Sequence, residues 1–169
     1  MHTHSRTLFS CTDIWRRSDQ FHYDHYAASG DVTIEMLVDS FDVGHIWGKG
    51  GLMIRESLAP NSKHFSVVMT RDGNRMTNMW RPCTNCNSAH NDNPRIYDRS
   101  IYMKITKTGN TFEAFTRKLD SDEWTMIGAT QEIQFTTDTF YVGIAVCSLD
   151  NTKLAELKGR DFKITAGGN

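Results

Sequence analysis

Lys49-Gly50-Gly51-Leu52-Met53-Ile54-Arg55-Glu56-Ser57 reads as a β-strand entered through paired glycines and left through a polar corner. Side chains alternate across a strand, so Leu52 and Ile54 can bury on one face while Met53 and Arg55 point to the other. Gly50 and Gly51 suit a bulge or a close approach of neighbouring backbone. Arg55 then needs a partner, because a guanidinium on an apolar strand is paired with a carboxylate or turned towards a ligand. Both readings stay open from the strand alone.

Outward from this strand the chain continues in the same idiom. Asp13 to Tyr26 reads as an opening strand with Phe21 and Tyr23 on one face. His22 and His25, three apart, would lie on opposite faces and cannot share a metal ion. Ala27 to Asp31 is a turn, and Val32 to Asp39 alternates strictly through Val32, Ile34, Met36 and Val38. A loop through Gly44, His45, Ile46 and Trp47 leads into the strand quoted first. Ala59-Pro60-Asn61-Ser62 is a turn, His64 to Thr70 a strand with Phe65, Val67 and Met69 on one face, and Asp72-Gly73 a hairpin turn into Arg75 to Arg81. The last third predicts strands over Ser100–Thr106, Thr111–Lys118, Met126–Phe135, Phe140–Ser148 and Leu154–Thr165, each bounded by turn chemistry. Short strands at regular spacing, without an amphipathic helix, predict an all-β, two-sheet antiparallel jelly-roll sandwich. We expect a domain over 13–166, an N-terminal extension over 1–12 and a tail over 167–169.

The 169 residues carry a net charge of −1 with basic residues scattered, which argues against nucleic acid or an acidic membrane surface as partner. No run reaches the roughly 18 apolar residues of a spanning helix, so no membrane insertion is expected, and the first residues have no apolar segment of signal-peptide type. The chain is expected to be soluble, as a mature form or an excised domain. Of the four cysteines, Cys83 and Cys86 lie in a polar loop, where a thioredoxin-type motif would need a following helix. Zinc would find at most Cys83, Cys86 and His90 there. A local Cys83–Cys86 disulfide or free thiols remain, and Cys11 with Cys147 could form a second bridge outside the reducing cytosol. Asp120 to Glu123 lacks the length of a calcium loop and reads as a solvated turn. No cofactor is expected.

The stretch from Pro82 to Asp98 is the longest without a predicted element, and such loops tend to be functional or disordered. Its Asn85, Asn87, Asn91 and Asn93 can hold tight turns or offer donor and acceptor pairs to sugar hydroxyls.

Asp13-Ile14-Trp15, Ser18 to Tyr23, Gly30 to Ile34, Gly51 to Leu58, Ser62-Lys63-His64, Gly109 to Phe115, Trp124 to Gly128 and Tyr141 to Val146 occur in that order. This succession resembles the concanavalin A-like domains of unknown function termed regulation of enolase protein 1-like, over nearly the whole chain. The resemblance implies a two-sheet jelly roll, appended in many relatives to secreted proteins that act on polysaccharides or decorate cell surfaces. It therefore implies an extracellular or cell-surface setting. The chain departs from the family pattern in the loop with Cys83 and Cys86, in Cys147 and in Arg16-Arg17.

Three functions fit. A glycoside hydrolase needs two carboxylates across a cleft, and Glu35, Asp39, Glu56, Glu113, Glu132 and Glu156 form no closely alternating acidic cluster on any strand. The chain is not expected to be an enzyme. A structural or protein-adhesion domain of an extracellular assembly would use an apolar or edge-strand patch. A carbohydrate-binding module would use the concave sheet where it meets the 82–98 loop, with Trp80 as the flat apolar face, Arg55, His64 and Asn78 as hydrogen-bonding groups, and Asn91 and Tyr97 closing the rim. A bulge that shifts strand parity would invert these faces as a group.

Overall fold

The computed structural model describes residues 11–70, 75–91 and 100–167, and these contain strands, turns and loops but no helix. In chain order the strands are β1 (Asp13–Trp15), β2 (Ser18–Gln20), β3 (His22–Ser29), β4 (Val32–Val43), β5 (Lys49–Arg55), β6 (His64–Thr70) and β7 (Arg75–Arg81). They continue as β8 (Ala89–His90), β9 (Ile101–Thr108), β10 (Thr111–Lys118), β11 (Thr125–Glu132), β12 (Thr139–Cys147) and β13 (Ala155–Ala166). One sheet runs β11-β10-β9-β4-β13 and the other β3-β12-β5-β6-β7-β8, all pairs antiparallel. The two sheets pack face to face, as the alternation along the strands predicts.

The main core lies between them. Ile34, Met36 and Val38 of β4, Met103 and Ile105 of β9, and Phe112 and Ala114 of β10 meet Leu52 and Ile54 of β5, Phe65 and Val67 of β6, and Phe140 and Val142 of β12. Gly50 and Gly51 serve close approach, since the β5 register runs without a shift against both neighbours. A Cβ on Gly50 would meet the Phe41 ring at 2.7 Å, and one on Gly51 the Val67 carbonyl at 2.1 Å.

Every residue of β5 and β6 is buried. In a two-sheet sandwich only one face of a strand is covered, so a third layer must lie on the other. That layer is the hairpin β1–β2, in register Asp13↔Gln20 and Trp15↔Ser18. Its Ile14 packs with Cys11, Met53, Val68, Met79, Ala145 and Cys147 in a second, smaller core on the outer face of the six-stranded sheet. The expected opening strand over 13–26 is thus corrected to a hairpin plus β3. Arg16 turns the corner in the left-handed region at φ 53°, a reversal that the aromatic-polar alternation of the stretch does not reveal.

The Pro82–Asp98 stretch is also corrected in its described part. Cys83 to Cys86 forms a turn, with Cys86 N donating to Cys83 O at 3.1 Å, and β8 extends the sheet by pairing with Met79 and Trp80. Residues 92–98 and the Asp72-Gly73 turn lie outside the described residues, as do residues 1–10 of the extension. Both disulfides form, Cys11–Cys147 with Cα atoms 5.5 Å apart and Cys83–Cys86 with 5.3 Å.

The Cys11–Cys147 bridge spans 136 residues and the Cys83–Cys86 bridge spans 3. On loop-closure entropy alone these correspond to about 5 and about 2 kcal/mol. Replacing Cys11 and Cys147 by serine is expected to lower the urea midpoint clearly more than replacing Cys83 and Cys86. Equal midpoints for the two double variants would contradict this.

Candidate ligand-binding site

Two rungs of side chains cross the outer face of the six-stranded sheet, one at each end of β5, β6 and β7. At one end Arg55, His64 and Arg81 lie opposite one another in register. Asp19 of the hairpin comes down onto this rung. Its Oδ2 accepts from Arg55 Nη1 at 2.8 Å and Arg81 Nη1 at 2.7 Å, and its Oδ1 accepts from Arg81 Nη2 at 2.6 Å. The remaining guanidinium donors reach backbone carbonyls: Arg55 Nη2 to Ala59 at 2.7 Å, Arg81 Nη1 to Ser62 at 2.9 Å, Arg81 Nη2 to Arg16 at 3.0 Å and Arg81 Nε to Cys86 at 3.1 Å. One aspartate thus ties the hairpin, the β5–β6 turn and the disulfide turn to a single point.

Burial pushes the Asp19 carboxyl upward, but the hydrogen bond from Arg81 and the charges around it hold the group below the ordinary carboxylate range. His64 has the opposite fate. Full burial, with Arg55 and Arg81 on either side, brings it down to about 3 against the pull of Asp19, so the ring is neutral at ordinary pH. Neither ring nitrogen has a hydrogen-bond partner among the described residues.

This rung is a lock and not an open surface, which corrects the expected site. Arg55 and His64 do lie on the outer face, but the hairpin and the β5–β6 turn leave them 1% and 0% exposed. Asn78 and Trp80 lie on the other face. Trp80 sits opposite Phe65, and Asn78 opposite Val67, both core residues, and directly opposed residues of an antiparallel pair share a face. Asn78 Nδ2 donates across to Ala129 O of β11 at 3.2 Å. The parity expected for β7 is therefore inverted, and Met79 and Arg81 face outward in place of Asn78 and Trp80. Tyr97 lies outside the described residues. Asn91 stands at the sheet margin, its backbone N donating to Asn78 O at 3.2 Å and its side-chain Oδ1 accepting from Ala129 N at 3.1 Å.

The second rung, at the other end of the same strands, is Lys49, Thr70 and Arg75. Here the outer face opens into a cavity of about 370 Å³, within the size range of small-molecule sites. This rung, with Thr77 and Met79, supplies the sheet side of its lining, while Asp13 and Trp15 come from the hairpin. Trp47 and Leu149 come from loops, and His90 and Asn91 from β8 and the residue after it. Lys49 Nζ donates to Asp13 Oδ1 at 2.6 Å, so the hairpin is pinned by an aspartate at this end too. The Trp15 ring meets His90 edge-on with centroids 5.3 Å apart. Trp47 is 49% exposed. The cavity thus combines two indoles with a carboxylate–ammonium ion pair and further hydrogen-bonding groups.

Of the expected site residues, Asn91 alone lines the cavity among those described. Strand alternation alone does not point to Asp13, Trp15, Trp47 or Lys49, which also line it. Lys49 shares the parity of Arg55 on one strand, a signal available in the sequence, whereas Trp15 reaches the cavity only because the chain reverses at Arg16.

No family model matches this chain, and no curated protein does. Solved structures do. The chain is similar to a functionally unknown protein from Saccharomyces cerevisiae, at 12% identity and TM-score 0.78, covering 100% of this chain and 93% of that one. It is also similar to part of a xylan β-1,4-xylosidase from Bacillus halodurans C-125, at 18% identity and TM-score 0.69, covering 97% of this chain and 32% of that one. A legume lectin-like domain from Entamoeba histolytica matches at 10% identity and TM-score 0.58, covering 99% of this chain and 90% of that one. The fold is a concanavalin A-like jelly roll. This chain spans about a third of the xylosidase's length, and at these identities the likeness concerns the fold alone.

His64 gives the lock a pH signature. Its pKa is about 3 in the folded protein and near 6.5 when unfolded, so below pH 6.5 the unfolded chain binds the extra proton. The stability is fully present above pH 6.5 and is lost as pH falls towards 3, by up to about 1.4 kcal/mol per pH unit. In urea unfolding between pH 6.5 and 5, His64→Gln is expected to remove about one proton from the slope. Identical slopes in the two proteins would show that His64 is not buried in the neutral form.

Proposed function

We propose that this chain is a non-catalytic carbohydrate-binding module that works outside the reducing cytosol, with its site in the outer-face cavity. The observation that carries this reading is the convergence of Trp15, Trp47 and the Asp13–Lys49 pair on one cavity of about 370 Å³. A sugar ring has apolar C–H faces and an equator of hydroxyls that each donate and accept. Indole faces suit the first, and a carboxylate beside an ammonium suits the second.

Among the described residues lining the cavity, Asp13 alone carries a carboxylate, and hydrolysis of a glycosidic bond ordinarily needs two. Of the carboxylates on the expected strands, Glu56 accepts from Lys63 and Thr136, and Asp39 pairs with Arg160. A lectin-like domain and part of a xylan-acting enzyme among the structural neighbours favour a carbohydrate-related role. Two disulfides favour an oxidising compartment. The ordered segments from Asp13 to Val146 further support a place in the regulation of enolase protein 1-like family.

Trp47→Ala removes an indole that is half exposed, so folding stability is expected to change by no more than about 0.5 kcal/mol. Affinity for the glycan that the parent selects on an array is expected to fall by about tenfold or more in calorimetric titration. Unchanged affinity would move the site elsewhere. No binding of the parent to any glycan would favour the protein-adhesion reading.

A further inference from the structure

We infer that the cavity takes the end of a saccharide chain, one or two rings, and not a stretch from the chain's interior; this rests on the glycan reading above. An open sheet face would let a polysaccharide run along the strands from one rung to the other. Here that path is blocked, because the β1–β2 hairpin fills the outer face between the cavity and the Arg55–His64–Arg81 rung. Beneath it Met53, Val68 and Ala145 are fully buried against Ile14. Beyond it the Asp19 lock seals Arg55, His64 and Arg81. The hairpin is held at both rungs, by Asp19 at one and Asp13 at the other, so it is a fixed wall.

The chemistry at that wall fits a terminal ring. Asp13 Oδ1 accepts both from Lys49 Nζ and from Ile14 N at 2.7 Å, and Oδ2 takes neither bond. One sugar hydroxyl can donate to Oδ2 while its neighbour accepts from the Lys49 ammonium, which has two hydrogens beyond the one given to Asp13. A ring that enters along the strands meets this wall end-on, at the position where an interior ring carries its next linkage, so the ring against Asp13 and Lys49 is the last of its chain. The cavity volume, at the low end for small-molecule sites, holds little more than that ring and its neighbour.

The test is calorimetric titration with monomer, dimer and hexamer of three linear β-1,4 series, built on xylose, glucose and mannose, backed by a mixed glycan array. Each linear oligomer has one end of each kind. Chain-end binding predicts that dimer and hexamer affinities agree within about threefold, and that Asp13→Asn weakens both by about tenfold or more. The variant's thermal melt, measured alongside, separates lost contacts from lost folding. A hexamer bound more than about threefold tighter than the dimer would overturn the chain-end inference while leaving the glycan reading intact. A folded Asp13→Asn with unchanged affinity would overturn it as well. Absence of binding in every series and on the array would overturn both readings together.

Discussion

Asp19 accepts hydrogen bonds from two arginines on neighbouring parts of one sheet, and the shape of the outer face depends on that contact. A carboxylate and two guanidiniums out of water are costly to bring together, and the arrangement stands because the guanidinium donors on all sides reach an oxygen. Removing one member of such a buried set typically costs about 3–5 kcal/mol, since the remaining charges stay buried without compensation. The hairpin β1–β2 has only three residues per strand, too little to hold its place by pairing alone. Its apolar residue Ile14, the Asp19 lock and the Cys11–Cys147 bridge together fix it to the sheet.

From that anchoring the rest of the site follows. Because the hairpin is pinned, Trp15 and Asp13 stand at a set distance from the sheet, and the cavity exists between them and the Lys49–Thr70–Arg75 rung. The disulfide turn at Cys83–Cys86 belongs to the same construction, since its Cys86 carbonyl accepts from Arg81 while Ser88 N donates to Arg16 O at 2.8 Å. The five-stranded sheet contributes through the core and through its own closure. Lys107, for example, lies over the Phe140 ring at 4.8 Å and donates to Gly109 O at 2.8 Å, plugging one end of the sandwich with a stem and an ammonium.

The sandwich was legible in the sequence because its signal is local. Val32 to Val38 alternates, Phe65, Val67 and Met69 alternate, and turn residues separate the segments, so strands and their inner faces follow from periodicity two. The pairing of Arg55 with a carboxylate was equally legible, though not its identity as Asp19. The parity of β7 was not, since Met76 and Met79 fall on opposite faces and each face carries a polar residue that is fully buried, Asn78 on one and Arg81 on the other. Composition cannot choose between two such faces, and only the register with β6 does. The hairpin was hidden for a related reason, because a reversal at Arg16 and Arg17 uses none of the glycine, proline or asparagine that announces a turn. Trp15 and Asp13 could reach the candidate site only through that reversal.

The four tryptophans stand in four different places: Trp15 on the hairpin wall, Trp47 on the cavity loop, Trp80 against the main core and Trp124 beside Lys104 on the outer face of the five-stranded sheet. Their indole N–H resonances in a nitrogen–proton correlation spectrum report these places separately. Titration with the glycan that binds is expected to shift the Trp15 and Trp47 signals and leave those of Trp80 and Trp124 in place. Shifts confined to Trp124, or spread over Trp80 with the first two unmoved, would contradict the claim that the hairpin-walled cavity is the binding site.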